Sequence, residues 1–264
     1  MDKKFLEECL QNGMSTRDIE KICDKDHRTI SYWIKKYNLS NQSKYKKTDN
    51  YKFNVIDTPE KAYILGFMLA DAGINENKSV EIAVSINDKI IVEYMADIIG
   101  GNVIYDYTYN KRSRRFPRAR LQKKITDIFT FTGGRLKADR HFPRIKENLE
   151  KYLVLGLFDS DGCLTWGRRK DRNRIWQKIT FSSQLKILEG LQKYLNNKLN
   201  ISTIIRAKKD EACYVLEFAD RSDVLRFCEH IYSDSNFIIL QRKYLKYKAL
   251  RLELEENGEG EHVA

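Results

Sequence analysis

YLVLGLFDSDGCL, residues 152–164, runs through seven residues of almost pure core and then stops at two aspartates and a glycine. Residues 62–74, AYILGFMLADAGI, have the same shape ninety residues earlier, with Asp71 and Gly73 closing the apolar run. A helix that is apolar on every side belongs at the centre of a fold rather than on its surface. Two of them at a fixed spacing announce an internal repeat, and the rest of the chain is read outward from them.

From Pro59 each half follows the same order: apolar helix, two strands, helix, two strands, helix. In the first half SVEIAVSI (79–86) alternates like a strand and DKIIVEYMADII (88–99) is helical. Strands over 102–108 and 115–121 and a helix near 123–131 follow. In the second half KITFSS (178–183) is strand-like and QLKILEGLQKYLN (184–196) helical. Strands are expected near 201–207 and 213–219, a helix over 222–232 and a last helix at about 238–254. Gly66 aligns with Gly156 at an offset of 90, and Ser85 with Ser182 at 97. The second copy is therefore expected to hold about seven extra residues in its first hairpin.

Residues 1–39 read as a separate helical module. Phe5, Leu6, Cys9 and Leu10 mark one face of a helix ended by Gly13. Ser15 with Asp18 forms a capping-box start for a second helix whose inner side is Ile19, Ile22 and Cys23. In the third helix Ile30, Trp33, Ile34 and Tyr37 fall at helical spacing, and His27, Arg28, Ser31, Tyr32 and Lys35 occupy the other face. A basic third helix after a tight turn is the pattern of a helix-turn-helix reader of DNA. The chain is thus expected to divide into that module (1–39), a basic linker with Lys46 and Lys47 (40–58), a first repeat (59–145), a second repeat with the C-terminal helix (146–254) and an acidic disordered tail (255–264).

Charge points to a polyanionic partner. Lys and Arg number 48 against 37 Asp and Glu, a net charge of +11. Two hairpin regions concentrate it. KRSRRFPRARLQKK (111–124) includes Arg112, Arg114, Arg115, Arg118, Arg120, Lys123 and Lys124 and has no acid. RRKDRNRIWQK (168–178) includes Arg168, Arg169, Lys170, Arg172, Arg174 and Lys178 with one acid. Two-stranded ribbons fit the DNA major groove, so matched basic hairpins form a paired DNA-binding surface. The five cysteines are scattered with no CxxC pair, which suits reduced thiols. The longest apolar run is about nine residues, too short for a membrane span. A cytoplasmic protein of a bacterium or a phage-infected cell is expected, with an organelle as the alternative.

Asp71 and Asp161 each close an apolar helix. The macrodipole is negative there and disfavours a carboxylate by about 0.3–1 kcal/mol, so each acid calls for a positive partner. A divalent metal shared by both acids is one such partner, and hard oxygen ligands suit Mg²⁺. Gly66 and Gly156 would let the two helices approach closely. A calcium loop is excluded, because the twelfth position counted from Asp159 is Lys170 where a bidentate Glu is required.

VLGLFDSDG (154–162) and ILGFMLADAG (64–73) resemble the two motifs of the LAGLIDADG homing endonucleases, over roughly residues 59–250. In the first motif Leu69 stands where the second has Asp159, and Ala72 where the second has Gly162; both retain the later acid. The resemblance implies an α+β fold in which a pseudo-twofold pair of αββαββα repeats carries two saddle-shaped antiparallel sheets. It implies a monomeric enzyme that cuts both strands of a long, nearly asymmetric double-stranded DNA site, leaving short 3′ overhangs. The metal would lie on Asp71 and Asp161 beside Ala70 and Ser160. Mg²⁺ would support cleavage, Mn²⁺ would substitute, and Ca²⁺ would support binding alone. Lys123 or Lys124 and Asn87 in the first half and Gln184 in the second would be the peripheral catalytic groups. Two alternatives use the same scaffold without cleavage: a DNA-binding transcription regulator, and an intron RNA maturase with RNA as partner.

Overall fold

The computed structural model describes the chain except residues 12–13, 15, 24, 40–54, 75–79, 110–114, 124–130, 134–135, 170–173, 209–212, 235 and 257–264. Its centre is a pair of helices, α4 (Pro59–Asp71) and α6 (Glu150–Asp161), in which nearly every residue from Ala62 to Ala70 and from Leu153 to Asp159 is buried. They touch through glycine. A Cβ on Gly66 would lie 1.9 Å from the Leu153 carbonyl oxygen, and one on Gly156 would lie 2.0 Å from that of Tyr63. Any side chain at either position would force the backbones apart. Tyr63 and Tyr152, from the first turns of the two helices, both pack on Phe237, with ring centroids 5.5 and 4.7 Å away. The helices therefore start on one side of the core and deliver their C-terminal acids together on the other.

Each half carries a four-stranded antiparallel sheet. The first has the order β1 (Gly73–Ile74), β2 (Val80–Ser85), β4 (Arg115–Lys123), β3 (Asn102–Tyr109), and the second β5 (Gly162–Arg169), β6 (Arg174–Ser183), β8 (Tyr214–Phe218), β7 (Ile204–Ala207). Their inner faces join α4, α6, α5 (Lys89–Ile99), α7 (Leu185–Leu199), α8 (Arg221–Ile231) and α9 (Gln241–Glu256) in one hydrophobic core. Helix α9 also reaches back to the first half, where Arg242 pairs with Asp88 at 3.0 Å.

The strand registers revise the sequence alignment. Gly73 follows the cap of α4 and faces Glu81, eight residues on; Cys163 follows the cap of α6 and faces Thr180, seventeen residues on. The second hairpin is thus longer by nine residues rather than seven, and β5 is an eight-residue strand where β1 has two. Carried through both sheets, the same registers match Glu81 with Thr180, Gln122 with Glu217, Arg120 with Val215 and Ile104 with Arg206. Strand β6 begins at Arg174, four residues before the expected start, because Ile175 and Gln177 continue the inward alternation under a charged run. Strand β7 starts at Ile204, not 201: Asn200 closes α7 in the left-handed conformation (φ 50°) and Ile201 N–H bonds back to Leu195. Most of the helix expected near 123–131 lies outside the described residues.

Helices α1 (Lys3–Gln11), α2 (Thr16–Glu20) and α3 (His27–Lys36) bury a core of their own, made of Leu6, Cys9, Leu10, Ile19, Ile30 and Ile34. Ile22, expected on the inner side, is exposed because α2 ends at Glu20. The side chains of the Ser15–Asp18 capping box lie outside the described residues. Asp26 caps α3, accepting from the N–H groups of Arg28 and Thr29.

Candidate functional site

The acid-bearing helix ends are built alike. Asp71 and Asp161 are the last helical residues, five positions past the contact glycines. The caps that follow, Ala72 (φ −70°) and Gly162 (φ −77°), are both extended, a conformation alanine adopts without strain. Gly162 is required for a different reason: a Cβ there would lie 2.3 Å from the Phe158 ring.

Buried cations meet the negative helix ends. Arg140, 1% exposed, donates to the carbonyls of Met68 (3.2 Å), Leu69 (3.1 Å) and Ala72 (2.9 Å). The Lys243 ammonium donates to the carbonyls of Phe158, Asp159 (2.8 Å) and Gly162 (2.6 Å). Shifted by ninety, the two sets of carbonyls are the same. The positive partner required by the dipole is therefore part of the protein in each half. Neither cation is visible to sequence pattern: Arg140 precedes an extended stretch, and Lys243 sits in a helix rich in lysine. Both clamps leave out the carbonyls of Ala70 and Ser160.

The second half adds an acid. Asp159 is buried; one carboxylate oxygen accepts from the Tyr63 hydroxyl (2.9 Å) and the Leu240 N–H (3.0 Å). Its other oxygen accepts no hydrogen bond among the described residues. Burial pushes this carboxyl up to about 6, against the pull of the Lys243 charge and the Tyr63 hydrogen bond. Burial likewise pushes Lys243 down to about 8 against the attraction of Asp159. Asp159 thereby ties α6 to α4 and to the start of α9.

The sheet faces turned away from the core carry polar ladders. On the first, Arg118 Nε donates to Asp106 (2.7 Å), Arg120 Nε to the same carboxylate (2.8 Å), Arg120 to Glu81 (2.8 Å) and Gln122 to Glu81 (2.9 Å). On the second, Lys178 and Arg206 share Glu217, each at 3.3 Å. Arg174 is exposed beyond them. Arg168 does not join this face; it is paired with Glu253 of α9, and neighbouring Trp166 donates to the Lys246 carbonyl of the same helix. Odd and even positions of β5 point to opposite sides, so Arg168 cannot share a face with Thr165 and Gly167.

Asn87 is exposed in the turn after β2, and Gln184 is the half-buried N-cap of α7. Lys123, Arg115 and Arg169 end strands, but their side chains lie outside the described residues, as do Lys46, Lys47, Arg112, Arg114, Lys124, Lys170 and Arg172. On α3, Arg28, Tyr32 and Lys35 are exposed. His27 is held by Glu20 at 3.3 Å, and the Ser31 hydroxyl donates to the His27 carbonyl (2.8 Å). Among the described residues no three His, Cys, Asp or Glu side chains are grouped so that they could hold a metal ion. Nor is any helix among them long and apolar enough to cross a membrane.

Comparison with known proteins fits this geometry. A family model described as a LAGLIDADG-like domain matches residues 148–232. Among solved structures, the LAGLIDADG homing endonuclease I-GzeII in complex with its DNA target aligns at TM-score 0.52 and 11% identity, over 77% of this chain and 92% of that one. The homing endonuclease I-WcaI bound to its DNA recognition sequence aligns at 0.51 and 15%, over 80% and 97%. I-SmaMI bound to uncleaved DNA in the presence of calcium ions aligns at 0.50 and 10%, over 78% and 94%. Comparison with curated proteins gives no sequence match. With both acid-bearing helices and both sheets in place, residues 148–232 match the model of a LAGLIDADG-like domain, and the paired repeats have the α+β fold seen in the LAGLIDADG homing endonucleases.

Proposed function

We propose that this protein is a site-specific double-strand DNA endonuclease acting as a monomer. The observation that carries the proposal is the delivery of Asp71 and Asp161 to one end of a glycine-packed helix pair, with a buried cation already balancing each helix end. A carboxylate with no task beyond capping would be the wrong charge in that place. The donor set fits a hard divalent cation: two carboxylates and the Ala70 and Ser160 carbonyls that the cation clamps omit, with water and phosphate oxygens as further ligands. When bound, such an ion supplies Lewis acidity to a phosphodiester and its attacking water. Arg140 and Lys243 keep the two acids oriented by fixing the helix ends, and the sheet faces hold the duplex. Mg²⁺ is the ion for cleavage, with Mn²⁺ as substitute and Ca²⁺ for binding alone. Asn87 and Gln184, with Lys123 or Lys124, are assigned as the peripheral catalytic groups, and the exposed Arg28, Tyr32 and Lys35 of α3 extend the contact with DNA.

The test is to incubate the purified protein with a genomic DNA pool in Mg²⁺ or Ca²⁺ and to sequence every new end. Discrete ends with short 3′ overhangs are expected in Mg²⁺ only, and none from Asp71→Asn/Asp161→Asn. Specific binding without ends would replace the nuclease by a regulator, or by a maturase if RNA were the tighter ligand.

A further inference from the structure

The two open sheet faces differ in charge. On the first, two guanidiniums (Arg118, Arg120) meet two carboxylates (Asp106, Glu81), a local sum of zero. On the second, Lys178 and Arg206 share the one carboxylate of Glu217, a local sum of +1. The fold does not require the neutral ladder. At matching registers the second sheet has Thr180 for Glu81 and Val215 for Arg120, and it forms the same four-stranded order without them.

We infer that Asp106 and Glu81 are specificity-determining residues: they hold Arg118 and Arg120 for base edges and cancel their attraction for phosphate. This rests on the reading of the protein as a DNA endonuclease. Asp106 accepts from Arg118 Nε at 2.7 Å and from Arg120 Nε at 2.8 Å, and the Arg120 side chain is 15% exposed between Asp106 and Glu81. Arg118, fixed by Asp106 along one edge, presents its remaining donors in one direction, which suits a bidentate approach to guanine, whereas Arg120 is held from both sides by Asp106 and Glu81. The carboxylates themselves accept from the cytosine amino group. They also oppose phosphates, so a duplex that leaves the ladder without a matching base edge keeps that repulsion and gains little. Burial pushes the Asp106 carboxyl up, yet Arg118 and Arg120 together hold it below the usual range, so it remains charged near neutrality. The first sheet thus reads sequence while the second adds phosphate affinity.

Asp106→Asn in the full-length protein is the test. Its probes are the duplex recovered by end capture and a random duplex of equal length, titrated in Ca²⁺ across a range of salt. Removing one carboxylate should tighten the random duplex and steepen the slope of log K against log salt by about one. The preference for the recovered site should fall by about tenfold, the loss expected when one bidentate base contact goes out of register. Glu81→Gln should act in the same sense and guards against a fault of folding in either variant alone. Arg206→Gln on the second sheet should instead flatten the slope by about one and keep the preference. Slope and preference unchanged in both acid variants, with a wild-type protein that binds, would overturn the ladder inference alone. A wild-type protein that binds no duplex would overturn both it and the endonuclease reading.

Discussion

Two helix ends ninety residues apart solve one electrostatic problem with different residues. In the first repeat the Arg140 guanidinium, from the end of that repeat, spans three carbonyls of α4; in the second, an ammonium from the last helix takes the corresponding three of α6. What the two repeats share is the placement of a buried positive charge and not the side chain that supplies it. The surroundings differ too. Lys243 lies near buried Asp159, whereas the matching position in the first repeat is Leu69. The first clamp sets a cation against carbonyl dipoles, and the second belongs to a charge network joining α4, α6 and α9.

The largest effects should come from the contact that both repeats share. Gly66→Ala and Gly156→Ala each place a Cβ about 2 Å from the facing helix backbone, which cannot yield as a side-chain tip would. Each should destabilise by about 3 kcal/mol, the upper part of the range for overpacking, seen as a lowered denaturation midpoint. A tolerated alanine at one glycine only would show that the helix pair is less symmetric than its contacts.

Next come the clamps, where the repeats should part. Lys243→Met strands the carbonyls of α6 and leaves the Asp159 carboxylate buried without its nearby cation, a loss of about 3–5 kcal/mol. Arg140→Met strands three carbonyls at the end of α4 and should cost about 1–3 kcal/mol. Asp159→Leu, which copies the first repeat, should recover part of the Lys243→Met loss. Chemical denaturation of the four combinations gives the coupling, expected to exceed about 1 kcal/mol. Coupling near zero would mean that Asp159 and Lys243 act separately and that the two clamps are equivalent after all.

How far this arrangement could be read in the sequence depends on how local each signal is. The apolar runs ending in Asp71 and Asp161, the contact glycines and the strand–helix order are periodic features of single segments, and they are legible. Arg140 and Lys243 are not, because nothing local to RHFPRIK (140–146) or QRKYLKYK (241–248) tells a buried cation from a solvated one. The ladder lies between these cases. Glu81 and Asp106 alternate outward along their strands, but their meeting with Arg118 and Arg120 depends on β4 lying between β2 and β3, which is a property of the sheet order. Arg168 misleads for a related reason: a run of cations at a hairpin conceals that alternate residues leave on opposite faces.

The smallest expected effect lies at the opposite ends of the same helices. Helix α4 begins on Thr58, whose hydroxyl accepts from the Lys61 N–H, with Pro59 in the first turn. Helix α6 begins on Leu149, the end of a 3₁₀ turn over Glu147–Leu149, and makes no side-chain cap. Thr58→Ala should therefore cost about 1 kcal/mol, the usual value of an N-cap hydroxyl, measured by the same denaturation. The reciprocal change, Leu149→Thr, offers α6 a cap but removes a leucine that is 3% exposed. Burial of such a side chain contributes about 1.5–3 kcal/mol, more than a cap returns, so this substitution should also destabilise. A stabilising Leu149→Thr would mean that the start of α6 is held by hydrogen bonding as α4 is, and the asymmetry between the two helix starts would disappear.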